Sequence, residues 1–258
     1  MTISTPEERQ RVEKKMLALG QYWVDLEEGE FEEIQQDEAR KNALFRQKVS
    51  ERFQLWLDEL ETRLGPKGVR CYLTGGNDDE PEVFDGFQRR PYEHVIYAES
   101  RSLQIDQWHS MVSVGLSNRT PWDTPREVEE DELAGVIRQT LEGVDDFRNV
   151  IFNFHCPPHN TTLDLCPKLD TSVYPPKPIV QAGVQILTAA GSTAVRAAIE
   201  RHQPLLGLHG HIHESRGVVK LGRTTCINPG SEYAETVLRG CIVNVGDGEV
   251  VSYQMTSG

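Results

Sequence analysis

Apolar residues recur at helical spacing in the first quarter of the chain. Phe45, Val49, Phe53, Trp56, Leu60 and Leu64 fall three or four apart, which places them on one face of a helix that Gly65-Pro66 ends. A second helix is predicted over residues 6–19, stopping near Gly20. Both read as amphipathic helices lying on a core, and they make residues 1–68 a charged helical segment. After Gly68 the texture changes to short apolar runs. Val69-Arg70-Cys71-Tyr72-Leu73 and the runs at 94–98, 111–116, 149–154 and 205–208 are strand-length. The loop Thr120-Pro121-Trp122-Asp123-Thr124-Pro125 leads into a predicted helix, with Thr124 as N-cap and Pro125 at its first position, ending near Gly143. A proline-rich loop runs to Pro178, a helix is predicted from Ser192 or Thr193 to His202, and the tail 223–253 reads as strands. No internal repeat or low-complexity linker interrupts residues 69–258, so the chain reads as a single domain with a helical preface.

Strands alternating with helices predict an α/β sheet, whose functional loops gather at the carboxyl ends of the strands. Three polar clusters here each follow an apolar strand: Asn77-Asp78-Asp79, His155-Cys156, and His209 to His213. Their shared placement carries more weight than any one of them.

In an extended segment alternate side chains share a face, so His211 and His213 are expected to point together, with His209 beside them. Neutral imidazole ligates zinc, manganese, iron or nickel. Taken singly, each residue has a plainer role: capped surface histidines, a hydrogen-bonded loop residue at His155, a turn at Gly76-Asn77-Asp78.

Taken together, Gly-Asn-Asp-Asp, a strand-end His-x-Pro-Pro and Gly-His-x-His resemble, in order and spacing, the calcineurin-like metallophosphoesterase family over about residues 69–245. Asn228-Pro229-Gly230-Ser231 resembles a turn that this family often carries after its last histidine motif. The resemblance implies a β-sandwich flanked by helices. It implies two divalent ions (Mn, Fe, Zn or Ni), about 3.5–4 Å apart, holding a phosphate for in-line hydrolysis. Asn77, His155 and His211 would bind one ion and His213 the other. The position after the Asn, often a catalytic histidine in the family, is Asp78 here, an acid in that role or an orienting group with Asp79. Cys156 and His209 would stand behind the ligands or in the substrate loop.

The family's opening motifs are missing. No Asp-x-His occurs in the chain, and its one Gly-Asp is Gly246-Asp247, out of order. The resemblance therefore implies a fold lacking its N-terminal strands and a half-furnished dinuclear site, with one ion expected rather than two. The expectation is that a preceding segment or a second chain completes the sheet. The alternative is an inactive relative that binds or regulates.

Composition trims the options. A net charge of −13, with no stripe of Lys and Arg, counts against nucleic acid as a partner and leaves a phosphorylated small molecule or nucleotide. No apolar run reaches about 18 residues, so no membrane partner is expected. Met1-Thr2-Ile3-Ser4 opens onto charged residues rather than a signal-peptide core. Five cysteines without paired zinc spacing suggest reduced thiols and a cytoplasmic protein.

Overall fold

The computed structural model describes residues 5–258, so the reading of residues 1–4 lies outside the described residues. Thr5 caps helix α1 (Pro6–Ala18) by accepting the Glu8 N–H, with Pro6 at its first position. Helix α2 (Glu30–Gln36) leads into α3 (Glu38–Leu64), capped by Asp37. The buried face of α3 is rotated from the predicted stripe. Leu57 is fully buried, while Trp56 and Phe45 are about half exposed. Leu57 lies four residues from Phe53, one step round the helix from Trp56, and the Trp56 ring is instead covered by the Arg52 guanidinium.

The end of α3 holds a small parallel pair, β1 (Cys71–Leu73) and β2 (Val95–Tyr97), linked through the short helix α4 (Gly86–Arg89). Phe53 meets Phe84 and Phe87 edge-on. Glu61 accepts the backbone N–H groups of Glu93, His94 and Val95 and faces His94 Nδ1, so one helix carboxylate clips the start of β2. His94 and these backbone donors hold that carboxyl down to about 2.

Strands β3 (Arg101–Gln104) and β4 (Ser110–Val114) enter the main sheet. The short pair β5 (Ser117–Asn118) and β6 (Glu127–Val128) follows, then helix α5 (Glu130–Thr140) and β7 (Val150–Phe154). The helix predicted with Thr124 as its cap therefore starts five residues later, at Glu130. The Thr124 hydroxyl is taken by Glu127, and residues 127–128 pair with 117–118, so the chain is extended where the sequence suggested a first turn. The proline-rich loop is also more ordered than predicted. It folds into short antiparallel pairs among β8 (Leu165–Pro167), β9 (Leu169–Asp170), β10 (Lys177–Pro178), β11 (Val180–Gln181), β12 (Val184–Gln185) and β13 (Leu187–Ala189).

Helix α6 (Thr193–His202) is capped by Ser192 and followed by β14 (Leu206–Leu208), β15 (Gly217–Leu221) and β16 (Thr224–Asn228). A final hairpin joins β17 (Arg239–Gly246) and β18 (Glu249–Ser257). The six-stranded sheet runs β15-β16-β14-β7-β4-β3, parallel through its centre and antiparallel at both edges. The expected α/β sheet is thus present as a mixed sheet flanked by helices.

Alternation along the strands divides the core. Val112, Val114, Phe152, Phe154 and Cys226 face α5 and α6 through Leu133, Ile137, Val195 and Ile199. Met111, Ile151, Leu206 and Ile227 face the other way, towards Tyr72 and the β17–β18 hairpin. Among the described residues no helix is long and apolar enough to cross a membrane. All five cysteines are free.

Candidate functional site

Strands β1, β7 and β14 release their chains at their carboxyl ends into the loops that hold Asn77, His155 and residues 209–213. There Asn77 Oδ1 lies 2.9 Å from His155 Nε2 and 2.9 Å from His211 Nδ1, and the two rings meet at a centroid distance of 5.2 Å. Residues 134 apart in sequence are focused on one oxygen.

Two local devices produce this focus. The first is glycine. A Cβ on Gly76 would lie 2.8 Å from the His155 ring, so the loop approaches the imidazole as closely as a bare backbone allows. Gly76→Ala is therefore expected to push His155 off Asn77 and to destabilise the fold by about 1–3 kcal/mol. Urea denaturation with ring-nitrogen NMR of His155 checks this; an undisturbed ring would refute the packing argument.

The second device is a γ-turn. Ile212 N–H donates to Gly210 O at 2.7 Å, and His211 has φ +62. Buried Asn228 stabilises it: Nδ2 donates to the carbonyls of Gly210 and Ile212, and Oδ1 accepts from Gly230 N–H. The turn breaks the regular alternation expected of an extended segment, yet His211 and His213 both line one cavity. His213 is exposed and edge-on to Tyr233 at 5.5 Å, outside the set of contacts around Asn77 Oδ1.

The other sequence-derived candidates fall as follows. Asp79 accepts Gly76 N–H at 2.6 Å and closes the β1 loop. Asp78 lines a cavity of about 950 Å³ with Asn77, Arg119, Trp122, His159, His211 and His213. His209 is buried and turned away, its Nδ1 donating between the carbonyls of Phe154 and Cys156. Cys156 is fully buried, its thiol donating to Asn118 Oδ1, and burial pushes its pKa well up. A smaller cavity of about 330 Å³ is lined by His155 with Gly75, Gly76, His209, Gly210 and Cys241.

Several residues of the site had no signal in the sequence. Asn77 Nδ2 donates to Thr124 Oγ1, which reaches the buried carboxylate of Glu127. Arg126 donates its backbone N–H to Asn77 O and pairs through its guanidinium with Glu99 at 2.6 Å. Thr, Arg and Glu in a polar loop ordinarily mark solvent, and only the tertiary fold buries them.

The electrostatics suit ligation by neutral groups. Burial first, then the neighbouring His211 and Arg126, brings His155 down to about 3. Burial, against the pull of Glu127, brings His211 to about 4. Both imidazoles are neutral at pH 7, with lone pairs available to a cation. His211 Nε2 is buried without a partner. Bonds of about 2.1 Å to a divalent ion place adjacent ligands roughly 3 Å apart in octahedral geometry. The two 2.9 Å separations are N–H···O hydrogen bonds in metal-free protein, and they match one edge each of such a shell once the ring protons move to the opposite nitrogens. Among the described residues no group of three His, Cys, Asp or Glu side chains gathers to hold a metal, because the third donor here is an amide oxygen.

Comparisons with known proteins bear on the fold. No family model matches the chain. An uncharacterized protein of Methanocaldococcus jannaschii, MJ1162, is 31% identical over 156 residues, which cover 60% of this chain and 61% of that protein. The match thus spans about three fifths of the relative's length. One solved structure aligns with a TM-score of 0.51 at 14% identity, over 87% of this chain and 86% of its own. The protein TT1561 of Thermus thermophilus aligns with a TM-score of 0.48 at 14% identity, over 81% and 79%. At 14% identity the first of these likenesses shows a shared fold alone, a mixed sheet with flanking helices.

Proposed function

We propose that this chain binds a divalent metal ion through Asn77, His155 and His211 and acts as a metal-dependent phosphoesterase, carrying part of a dinuclear site. The observation that carries the reading is the convergence of three neutral donor atoms at the ends of three strands. The 950 Å³ cavity beside them has room for a phosphorylated small molecule or nucleotide. A divalent ion held there would supply positive charge to phosphoryl oxygens and acidify water. The chain's own residues would do the rest. Asp78, at the cavity wall beside Asn77, is the proposed proton donor to the leaving oxygen. Arg119 and His159 line the same space and offer charge and hydrogen bonds to an anionic substrate.

A second reading, metal binding without turnover, is favoured by one observation: the cluster contains no carboxylate. One set of measurements separates the two. Purified protein loaded with manganese is analysed for bound metal and assayed on a chromogenic phosphodiester and phosphomonoester. The phosphoesterase reading expects stoichiometric metal and turnover. His211→Ala should reduce both by more than about 100-fold, beyond the 10–100-fold typical of losing a group that merely supports a ligand. Bound metal with no turnover favours the second reading, and protein that takes up no manganese refutes both.

A further inference from the structure

A side-chain amide has two ends of similar shape and opposite hydrogen-bonding sense. Only the carbonyl end of Asn77 can ligate a cation or accept from His155 and His211. Which end faces them is decided on the far side of the amide.

There Asn77 Nδ2 meets Thr124 Oγ1 at 2.9 Å, and Thr124 Oγ1 lies 2.6 Å from Glu127 Oε1. Glu127 is 4% exposed. Its other donors are Thr120 N–H on Oε2, at 2.7 Å, and the Thr120 hydroxyl on Oε1. Burial alone would raise the Glu127 pKa, but the donors from Thr120 and Thr124 outweigh it and hold the group below the ordinary glutamate range. The carboxylate is therefore ionised and can only accept. Each threonine hydroxyl has one hydrogen, and Glu127 takes it. Thr124 Oγ1 then offers Asn77 nothing but lone pairs, and only an N–H can meet them. The Asn77 carbonyl is left facing the histidines.

We infer that Glu127 is a positioning residue which, through the Thr124 hydroxyl, fixes the polarity of the Asn77 amide and so makes the Asn77–His155–His211 cluster a cation-binding face. In its functional meaning the inference rests on the metal reading above. Its structural content does not, because the amide's polarity also sets the histidine tautomers in metal-free protein. With the carbonyl inward, the protons sit on His155 Nε2 and His211 Nδ1. With the amide reversed, those nitrogens must accept, and the protons move to the opposite ring atoms.

The test uses the full chain with ¹⁵N-labelled histidine, assigned from His155→Gln and His211→Gln spectra. Thr124→Ser keeps the hydroxyl, Thr124→Val keeps the shape without it, and Glu127→Gln adds a donor where there was none. In metal-free wild type and Thr124→Ser, the tautomers should be those stated. In Thr124→Val and Glu127→Gln, the tautomers of both histidines should shift. Titration with Mn²⁺ alone should then give affinities about 10–100-fold weaker for these two variants and near wild type for Thr124→Ser. Unchanged tautomers in folded Thr124→Val overturn the inference, whether or not Glu127→Gln folds. Equal disturbance in Thr124→Ser also overturns it. Tautomers that shift as expected while no form of the protein binds Mn²⁺ would support the inference and refute the metal reading.

Discussion

Replacing Glu99 with alanine is expected to cost the fold about 3–5 kcal/mol, the range for removing one partner of a buried ion pair. The Arg126 and Glu99 side chains are 7% and 11% exposed, with 2.6 Å between their charged atoms. The loss would not stop at the pair. Glu99 Oε1 accepts Gly115 N–H at 3.0 Å, and Oε2 accepts the Thr74 hydroxyl. One carboxylate thus ties the ends of β1 and β2 to the end of β4. The joint is so close that a Cβ on Gly115 would lie 2.2 Å from Gly75 O and 2.3 Å from Glu99 itself. In Glu99→Ala, Arg126 stays buried with its charge unpaired, and its Nε already lacks a partner. Because the Arg126 backbone donates to Asn77 O, the cluster should loosen with the joint. Urea denaturation measures the cost. The contrast is Glu38→Ala, which breaks the exposed Lys41–Glu38 pair and should change stability by less than about 1 kcal/mol. If the two variants unfold alike, the Arg126–Glu99 pair does not have the role described.

What could be read from the sequence, and what could not, divides along the same physical line. That Asn77, His155 and His211 would meet was legible because each follows a short apolar run, and strand ends in an α/β sheet converge. Their partners were not. Thr124 before Pro125 looks like a helix cap. The competing demand, a carboxylate three residues on that must be satisfied once buried, exists only after β6 has paired with β5. His213 was grouped with His211 by the two-residue period of an extended chain. The positive φ at His211, stabilised by Asn228 from a different strand, interrupts that period, and the two histidines reach one cavity by a turn rather than by an extended run. Periodicity reports local geometry well and fails where a tertiary contact bends the backbone out of its regular form. At Trp56 and Leu57 a three-or-four spacing admits both residues, and contacts with the β2 layer choose Leu57.

The same burial that prepares the histidines for a cation makes the fold sensitive to acid. Burial lowers His155 to about 3, His209 to about 4 and His211 to about 4, all from an ordinary 6.5. In each case the folded value lies below the unfolded one. The unfolded chain therefore binds more protons, and stability falls as pH falls. The contribution is fully present above about pH 6.5 and is lost progressively from there down to about 4 for His209 and His211 and about 3 for His155. At about pH 5 each of the three has cost about 2 kcal/mol, at about 1.4 kcal/mol per unit of pKa difference. Neighbouring charges make the sum less than additive, so the metal-free protein should lose on the order of 5 kcal/mol between about pH 7.5 and 5. Carboxylates do not obscure this window. Glu61, held down to about 2, gives up its contribution only below about 4.5, when the unfolded glutamate protonates. Urea unfolding at about pH 7.5, 6 and 5 in the presence of a chelator measures the loss. His209→Asn should make the dependence shallower by about one histidine's share, because an amide keeps a donor for Phe154 O without a proton to gain. Stability that stays flat across this range would mean that these imidazoles are solvated or charged in the folded protein, and the cluster would not be the set of neutral donors a cation requires.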